Sequence, residues 1–223
     1  MRSIVIAVDG TAASGKGTLA KRLARHFAFA HLDSGSLYRL VALAVLEARG
    51  DPAREADAIA AAHALDLTRA GEPAIRTDAI GKAASVVSAH AGVRAALLKF
   101  QRDFAAHPVG ESRGAVIDGR DIGTVIVPDA TAKLFVDARP ETRANRRWRE
   151  LAALGIAREE AHILAELVAR DHADRNRPIS PMKPAADAHL LDTTDLDIDA
   201  AFAAALSLVK ERVEVALRAL PRG

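Results

Sequence analysis

Gly10-Thr11-Ala12-Ala13-Ser14-Gly15-Lys16-Gly17-Thr18 follows the apolar run at 4–8 and leads into a helical pattern from Leu19. The stretch reads as a phosphate-binding loop, the alternative being a glycine-rich strand-to-helix turn with an exposed lysine. Glycines at 10 and 15 allow backbone N–H groups to close around phosphate oxygens with no Cβ in the way. The helix that follows presents unpaired N–H groups and the positive end of its dipole to the anion. Lys16 then reaches the β- and γ-phosphates as a compact positive charge. The usual loop places Ser or Thr directly after the lysine to hold Mg²⁺, whereas here that position is Gly17 and the hydroxyl comes at Thr18. The stretch therefore predicts a protein that handles a nucleoside triphosphate.

Composition bounds the rest. With 223 residues and 50% hydrophobic content, the chain can bury a full core as one domain with a mobile sub-part or as two small domains. Apolar runs such as 40–46 fall far short of the roughly 18 residues a membrane span needs, and the start leads into a strand rather than a signal peptide. The absence of cysteine excludes disulfides and thiolate metal sites, so a cytoplasmic location is the expectation. A formal charge of +2, from 31 Lys+Arg against 29 Asp+Glu, gives no reason to expect nucleic acid. The eight histidines show no metal-ligand spacing and read as structural or surface residues.

Short apolar strands are predicted at 3–8, 30–33, 115–118, 132–136 and 188–191, as buried parallel strands should be. Helical patterns lie at 16–26, 36–48, 53–64, 78–89, 93–105, 140–154, 158–170 and 198–218. The alternation predicts an α/β fold, a doubly wound sheet of about five parallel strands. The single domain would have a core at about 1–49, 114–139 and 187–223. Residues 50–113 lack a strong strand and predict a helical substructure over one edge, and 140–180 form an arginine-rich region.

Three constellations could carry chemistry. Asp33 to Arg39 sits at the carboxyl end of the second strand, where open α/β sheets bind ligands, and Arg39 could hold a second phosphate. The same residues also fit Ser34 or Ser36 as a helix N-cap with Arg39 snorkelling at the surface. Asp118-Gly119-Arg120-Asp121 follows the third strand, where a carboxylate can support Mg²⁺, usually through water, and Arg120 can clamp an anion; an ordinary strand-end turn fits too. Arg143, Arg146 and Arg147, at spacings of three and four, would project from one side of a helix, and Arg170, Asp174 and Arg177 share a face further on. Arginine suits stabilisation of a transferring phosphoryl group, although salt-bridged solvated helices share this pattern. Trp148 reads as packing at the base of its helix.

Together these motifs resemble the nucleoside monophosphate kinases, in which G-K-G-T is usual, and among them the bacterial cytidylate kinases. The resemblance rests on G-x-x-x-x-G-K-G-T-L at 10–19, L-D-S-G-x-x-Y-R at 32–39, A-A-S-x-V at 83–87, V-R-x-A-L-L at 93–98, D-G-R-D-x-G-T-V at 118–125 and R-D-x-x-D-R-N-R at 170–177. It implies a phosphate-binding-loop kinase with ATP at Lys16 and the surrounding loop, and Mg²⁺ near Thr18 and Asp118. Arg39 and Arg120, with Ser34 nearby, would grip the phosphate of CMP or dCMP. Ser85, Arg94, Asp121 and Arg177 would read the cytosine, while Arg170 and Asp174 would hold the ribose. Arg143, Arg146 and Arg147 would lie on a lid over the ATP phosphates. The resemblance also implies a monomer that acts on small nucleotides, with no nucleic-acid or membrane partner.

One stretch departs from the family pattern. Larger members insert a small β-sheet near the acceptor site, whereas residues 65–76 leave room for little more than a turn. The rival readings are a kinase for UMP or AMP and a nucleotide-dependent switch or RNA-binding protein. Against the last, aromatics make up 4% of the chain, which offers no stacking platform, and no base-reading N-K-x-D motif occurs.

Overall fold

The computed structural model describes residues 3–220. A five-stranded sheet is built from β1 (Ile4–Gly10), β2 (Ala30–Asp33), β3 (Gly114–Gly119), β4 (Ala132–Asp137) and β5 (His189–Asp192), in the order β2-β3-β1-β4-β5. β1 pairs parallel with β3 and β4, and β4 with β5. Every residue of β1 is buried, which explains its uninterrupted apolar run. Its alternate residues Ile4, Ile6 and Val8 pack with Leu19 and Leu23 of α1 (Lys16–Phe27) and with Ala205, Val209 and Val213, spaced by four along the C-terminal helix Ile198–Ala219. The chain builds the sheet to both sides of β1, so the carboxyl end of β1 lies at the switch point where open α/β sheets bind ligands. No helix of the described residues is long and apolar enough to cross a membrane.

The chain divides into two compact units, the smaller of them Asp33–Phe104 and the larger made of the residues on either side. The smaller unit is helical, as predicted for 50–113. It holds α2 (Ser34–Glu47), α3 (Glu55–His63), α4 (Asp78–Val87) and most of α5 (Ala91–Ala106) around a core that includes Leu37, Val41, Ala58, Ile75, Val87 and Leu97. α2 belongs to this unit because its buried side chains pack on α3 and α4, whereas the sequence reading assigned residues up to 49 to the sheet core. Two short 3₁₀ turns, Leu67–Gly71 and Pro73–Arg76, stand where a sheet was expected to be cut down. Arg69 braces them with a two-pronged ion pair to Glu47 and a second to Glu72.

In the larger unit, α6 (Pro140–Ala153) and α7 (Glu160–Asn176) follow β4, and the 22-residue helix Ile198–Ala219 is α8. Ala144, Leu151 and Ile163 join α6 to α7. Helix α7 runs six residues past the predicted end at 170. Trp148, expected to pack at the base of α6, is 39% exposed.

Candidate active site

The loop at the end of β1 owes its shape to two glycines with different duties. At Gly10 a Cβ would lie 2.0 Å from the Val136 carbonyl oxygen, so no side chain fits. At Gly15 there is open space, but φ is +88°, a conformation that favours glycine. Gly15 is also the N-cap of α1, and no side chain caps that helix end or places an acid in its first turn. A helix start of this kind suits an anion, since its N–H groups and the positive end of its dipole point the same way. Lys16 curls over the loop, and its Nζ donates to the Thr11 carbonyl at 3.2 Å.

The loop is braced from outside by residues distant in sequence. Thr11 Oγ1 donates to Asp137 Oδ1 at 2.6 Å, Ala12 N–H donates to Asp171 Oδ1 at 3.1 Å, and Thr193 Oγ1 lies 3.0 Å from the Ser14 carbonyl. Asp137, Asp171 and Thr193 were not singled out as site residues from the sequence. Asp171 stands inside the R-D-x-x-D-R-N-R motif, which is the one signal that pointed to it. Asp118 approaches the first turn of α1: a Cβ at Gly17 would lie 3.5 Å from Asp118 Oδ2, while Asp118 Oδ1 pairs with His31 Nε2 at 2.8 Å. The carboxylate therefore lies beside the position that carries Ser or Thr in the usual loop.

The three arginines of α6 do not act as one row. Arg143 was expected on a lid, yet its side chain is 2% exposed and pairs with Asp171, donating also to the carbonyls of Ala138 and Ala12. Arg146, expected at the ATP phosphates, turns to the 193–196 segment, where it donates to Thr193 Oγ1 and to the carbonyls of Thr193 and Leu196. Arg147 is partly exposed, 3.4 Å from Glu150. Helical spacing groups the three, whereas in the structure their side chains take different partners.

The two motifs that distinguish the sequence meet charge to charge. Arg120 Nε donates to Asp174 Oδ2 at 2.8 Å, and Arg177 Nη2 lies 3.2 Å from Asp121 Oδ1. Arg177 Nε donates to the Ser180 carbonyl at 2.6 Å. Burial acts to raise the pKa of Asp174, but the charge of Arg120, and then of Arg170, outweighs it and holds the carboxyl below its ordinary value. Burial likewise acts to lower the Arg120 pKa, and Asp174 reverses the sign. Both partners are thus held ionised.

Asp9 has no counterpart among the expected site residues. It lies next to the loop in sequence, and its two carboxylate oxygens each accept a backbone N–H, from Ile122 and from Gly123, both at 2.8 Å. Those donors open a single wide turn at Ile122–Ile126 with i to i+5 bonding, a geometry that recurs at functional sites. Burial pushes the Asp9 carboxyl from 3.8 up to about 7, against the pull of the two N–H bonds. The native chain therefore holds a proton there that the unfolded chain releases, so this group's contribution to stability falls as pH rises from about 4 to about 7 and is flat above that. The full span is ~4 kcal/mol. Asp9→Asn cannot titrate. Its urea midpoints at pH 5, 6, 7 and 8 should fall less steeply with pH than those of the wild type, and parallel curves would show that Asp9 carries no such proton.

In the smaller unit the cap of α2 is Asp33, which accepts from Ser36 N–H at 3.2 Å, and not Ser34 or Ser36. Arg39 does not snorkel: it donates to the Ile75 carbonyl at 2.8 Å and lies against Gly81 of α4. Ser85 sits on α4, where its carbonyl accepts from Ser88 Oγ. Arg94, on α5, is buried, donates to the Ser88 carbonyl at 3.3 Å and has its guanidinium 5.5 Å from the ring centre of Tyr38.

The family model described as cytidylate kinase matches residues 6–211. A cytidylate kinase of Nitrobacter winogradskyi is 58% identical over 207 residues, 93% of this chain and 96% of its own. One from Afipia carboxidovorans is 53% identical over 208 residues, 93% of this chain and 98% of its own. Among solved structures, an uncharacterized protein from Eubacterium ventriosum is similar in fold, with a TM-score of 0.54 at 16% identity over 93% of this chain and 98% of its own.

Proposed function

Because the chain belongs to the cytidylate kinase family, we propose that it transfers the γ-phosphoryl group of ATP to CMP, and to dCMP, giving ADP and CDP or dCDP. The observation that carries the reading within the molecule is the uncapped, acid-free start of α1, with Lys16 folded over the loop in front of it. That arrangement is a polyanion receptor.

The acceptor needs no general base. A phosphate monoester has a second pKa near 6, so at neutral pH it is already an anionic nucleophile. What remains is to hold two mutually repelling polyanions in line and neutralise charge on the group in transit. Residues 10–18 take the donor phosphates, with Lys16 on the transferring group and Arg147 supplying a further charge. Arg120 and Arg39, with Ser34, take the CMP phosphate. Ser85, Arg94, Asp121 and Arg177 read the base, and Arg170 and Asp174 hold the ribose. Occupying that role requires Asp174 to share or release Arg120.

Thr18 Oγ1 and the Asp118 carboxylate are hard oxygen donors near the first turn of α1, and they suit Mg²⁺ held partly through water. Among the described residues no group of three His, Cys, Asp or Glu is assembled for a metal. When bound, Mg²⁺ neutralises phosphate charge. The reading is of a cytoplasmic monomer whose partners are small nucleotides, without nucleic acid or membrane.

The test is a panel of CMP, dCMP, UMP and AMP with ATP in a coupled ADP assay. The expected result is turnover of CMP and dCMP well above UMP and AMP; equal rates, or none with CMP, would overturn the reading. Arg147→Ala should lower kcat by about tenfold or more while calorimetric CMP affinity stays within about twofold, since the side chain is assigned to the donor. Collapse of CMP affinity with kcat intact would move Arg147 to the acceptor.

A further inference from the structure

We propose that Asp171, together with Arg143, is a positioning residue for the donor-phosphate loop. The inference rests on residues 10–18 being that loop. Ala12 lies inside it, and its peptide groups are gripped on both sides: Asp171 Oδ1 accepts from Ala12 N–H at 3.1 Å, and Arg143 Nη1 donates to the Ala12 carbonyl at 2.9 Å. The two side chains also pair with each other, each 2% exposed, and Arg143 Nε is anchored on the Ala138 carbonyl at 2.8 Å.

A buried arginine could be neutralised by a carboxylate that touches nothing else. Here the carboxylate takes one N–H out of a segment whose N–H groups form the anion receptor. That fixes the direction of the groups that follow, through Ala13 at φ +58° and Gly15 at φ +88°. Ala13 is a non-glycine residue in the left-handed region, a conformation that persists where its surroundings impose it. A loop already held in receptor shape loses less freedom when phosphate arrives.

The pairing also explains how an acid can brace a polyanion site. A lone carboxylate one peptide away from the receptor would repel the nucleotide, and Arg143 cancels that charge at contact. Asp174 on α7 and Arg177, the residue that caps its C-terminus, follow at intervals of three, holding Arg120 and Asp121. The last turns of α7 and its C-cap thus touch the donor loop and both Arg120 and Asp121.

The test is calorimetric titration of ADP with Mg²⁺, and separately of CMP, into variants shown by circular dichroism to be folded. Asp171→Asn removes the charge that answers Arg143 and should weaken ADP about tenfold with CMP within about twofold. If that variant does not fold, Arg143→Lys serves. Its single ammonium keeps a charge opposite Asp171 but cannot serve the Ala138 and Ala12 carbonyls and the carboxylate together, so ADP should weaken severalfold with CMP unchanged. A lower melting temperature with ADP affinity unchanged would reduce the pair to a structural tie and overturn the proposal, as would parallel loss of both affinities. A wild-type protein that binds ADP but phosphorylates no CMP would defeat the proposed function and leave this test intact.

Discussion

Lys16→Ala should leave a folded protein whose kcat is lower by at least about a hundredfold, because one charge contact is lost from the group in transit at the moment its charge spreads over the equatorial oxygens. The structure gives reasons to expect a clean result. Lys16 Nζ bonds to a backbone carbonyl of the loop, Thr11 at 3.2 Å. The loop is also held by Asp137, Asp171 and Thr193, and these three ties do not involve the lysine. Truncation should therefore remove the charge without unmaking the receptor. Circular dichroism and steady-state turnover decide it together, and a well-folded variant with more than a tenth of wild-type kcat would remove Lys16 from the role.

Asp121→Asn should narrow the CMP-over-UMP ratio of kcat/KM by ~1–3 kcal/mol, roughly ten- to a hundredfold. Cytosine and uracil differ where an amino donor becomes a carbonyl acceptor, so a site that prefers CMP must present an acceptor that cannot turn into a donor. A hydroxyl such as that of Ser85 rotates to serve as either, whereas a carboxylate only accepts. The amide of the variant can offer N–H to uracil. The structure sharpens the competing explanation. Asp121 stands 3.2 Å from Arg177, so the competing explanation, in which Asp121 only orients an arginine, extends to Arg177 beside Arg94 or Arg120. In that case activity toward CMP and UMP falls by the same factor, and an unchanged ratio would defeat the specificity role. Arg177 Nε is already tied to the Ser180 carbonyl, which keeps the guanidinium in place when Asp121 changes and makes the two outcomes separable.

Local rules made the scaffold legible. The run at 4–8 reads as a buried strand because both faces of β1 are covered. The loop reads as a phosphate receptor because Gly10 has no room for a Cβ and Gly15 has a backbone that disfavours one. The helical character of 50–113 was legible from period alone, since its apolar positions close a core of their own. α7 was cut short at 170 because Asp171-His172-Ala173-Asp174-Arg175-Asn176 carries no apolar period. The helix continues there on the strength of buried charge pairs, Arg143–Asp171 and Arg120–Asp174, that periodicity cannot register.

Residue types, spacings and the order of strands and helices determined by themselves which groups of chemistry this protein possesses. Which group meets which was decided only by the tertiary structure. Asp171 reaches Ala12 across 159 positions, and Asp9 reaches Ile122 across 113. Arg143, Arg146 and Arg147 share a helical neighbourhood yet end on three different partners. Helical and strand periods specify a direction in space, but a buried charge takes the partner that packing delivers at hydrogen-bond distance, since leaving it unpaired costs several kcal/mol, on the order of 3–5. That choice depends on how distant segments are brought together, which no local pattern records.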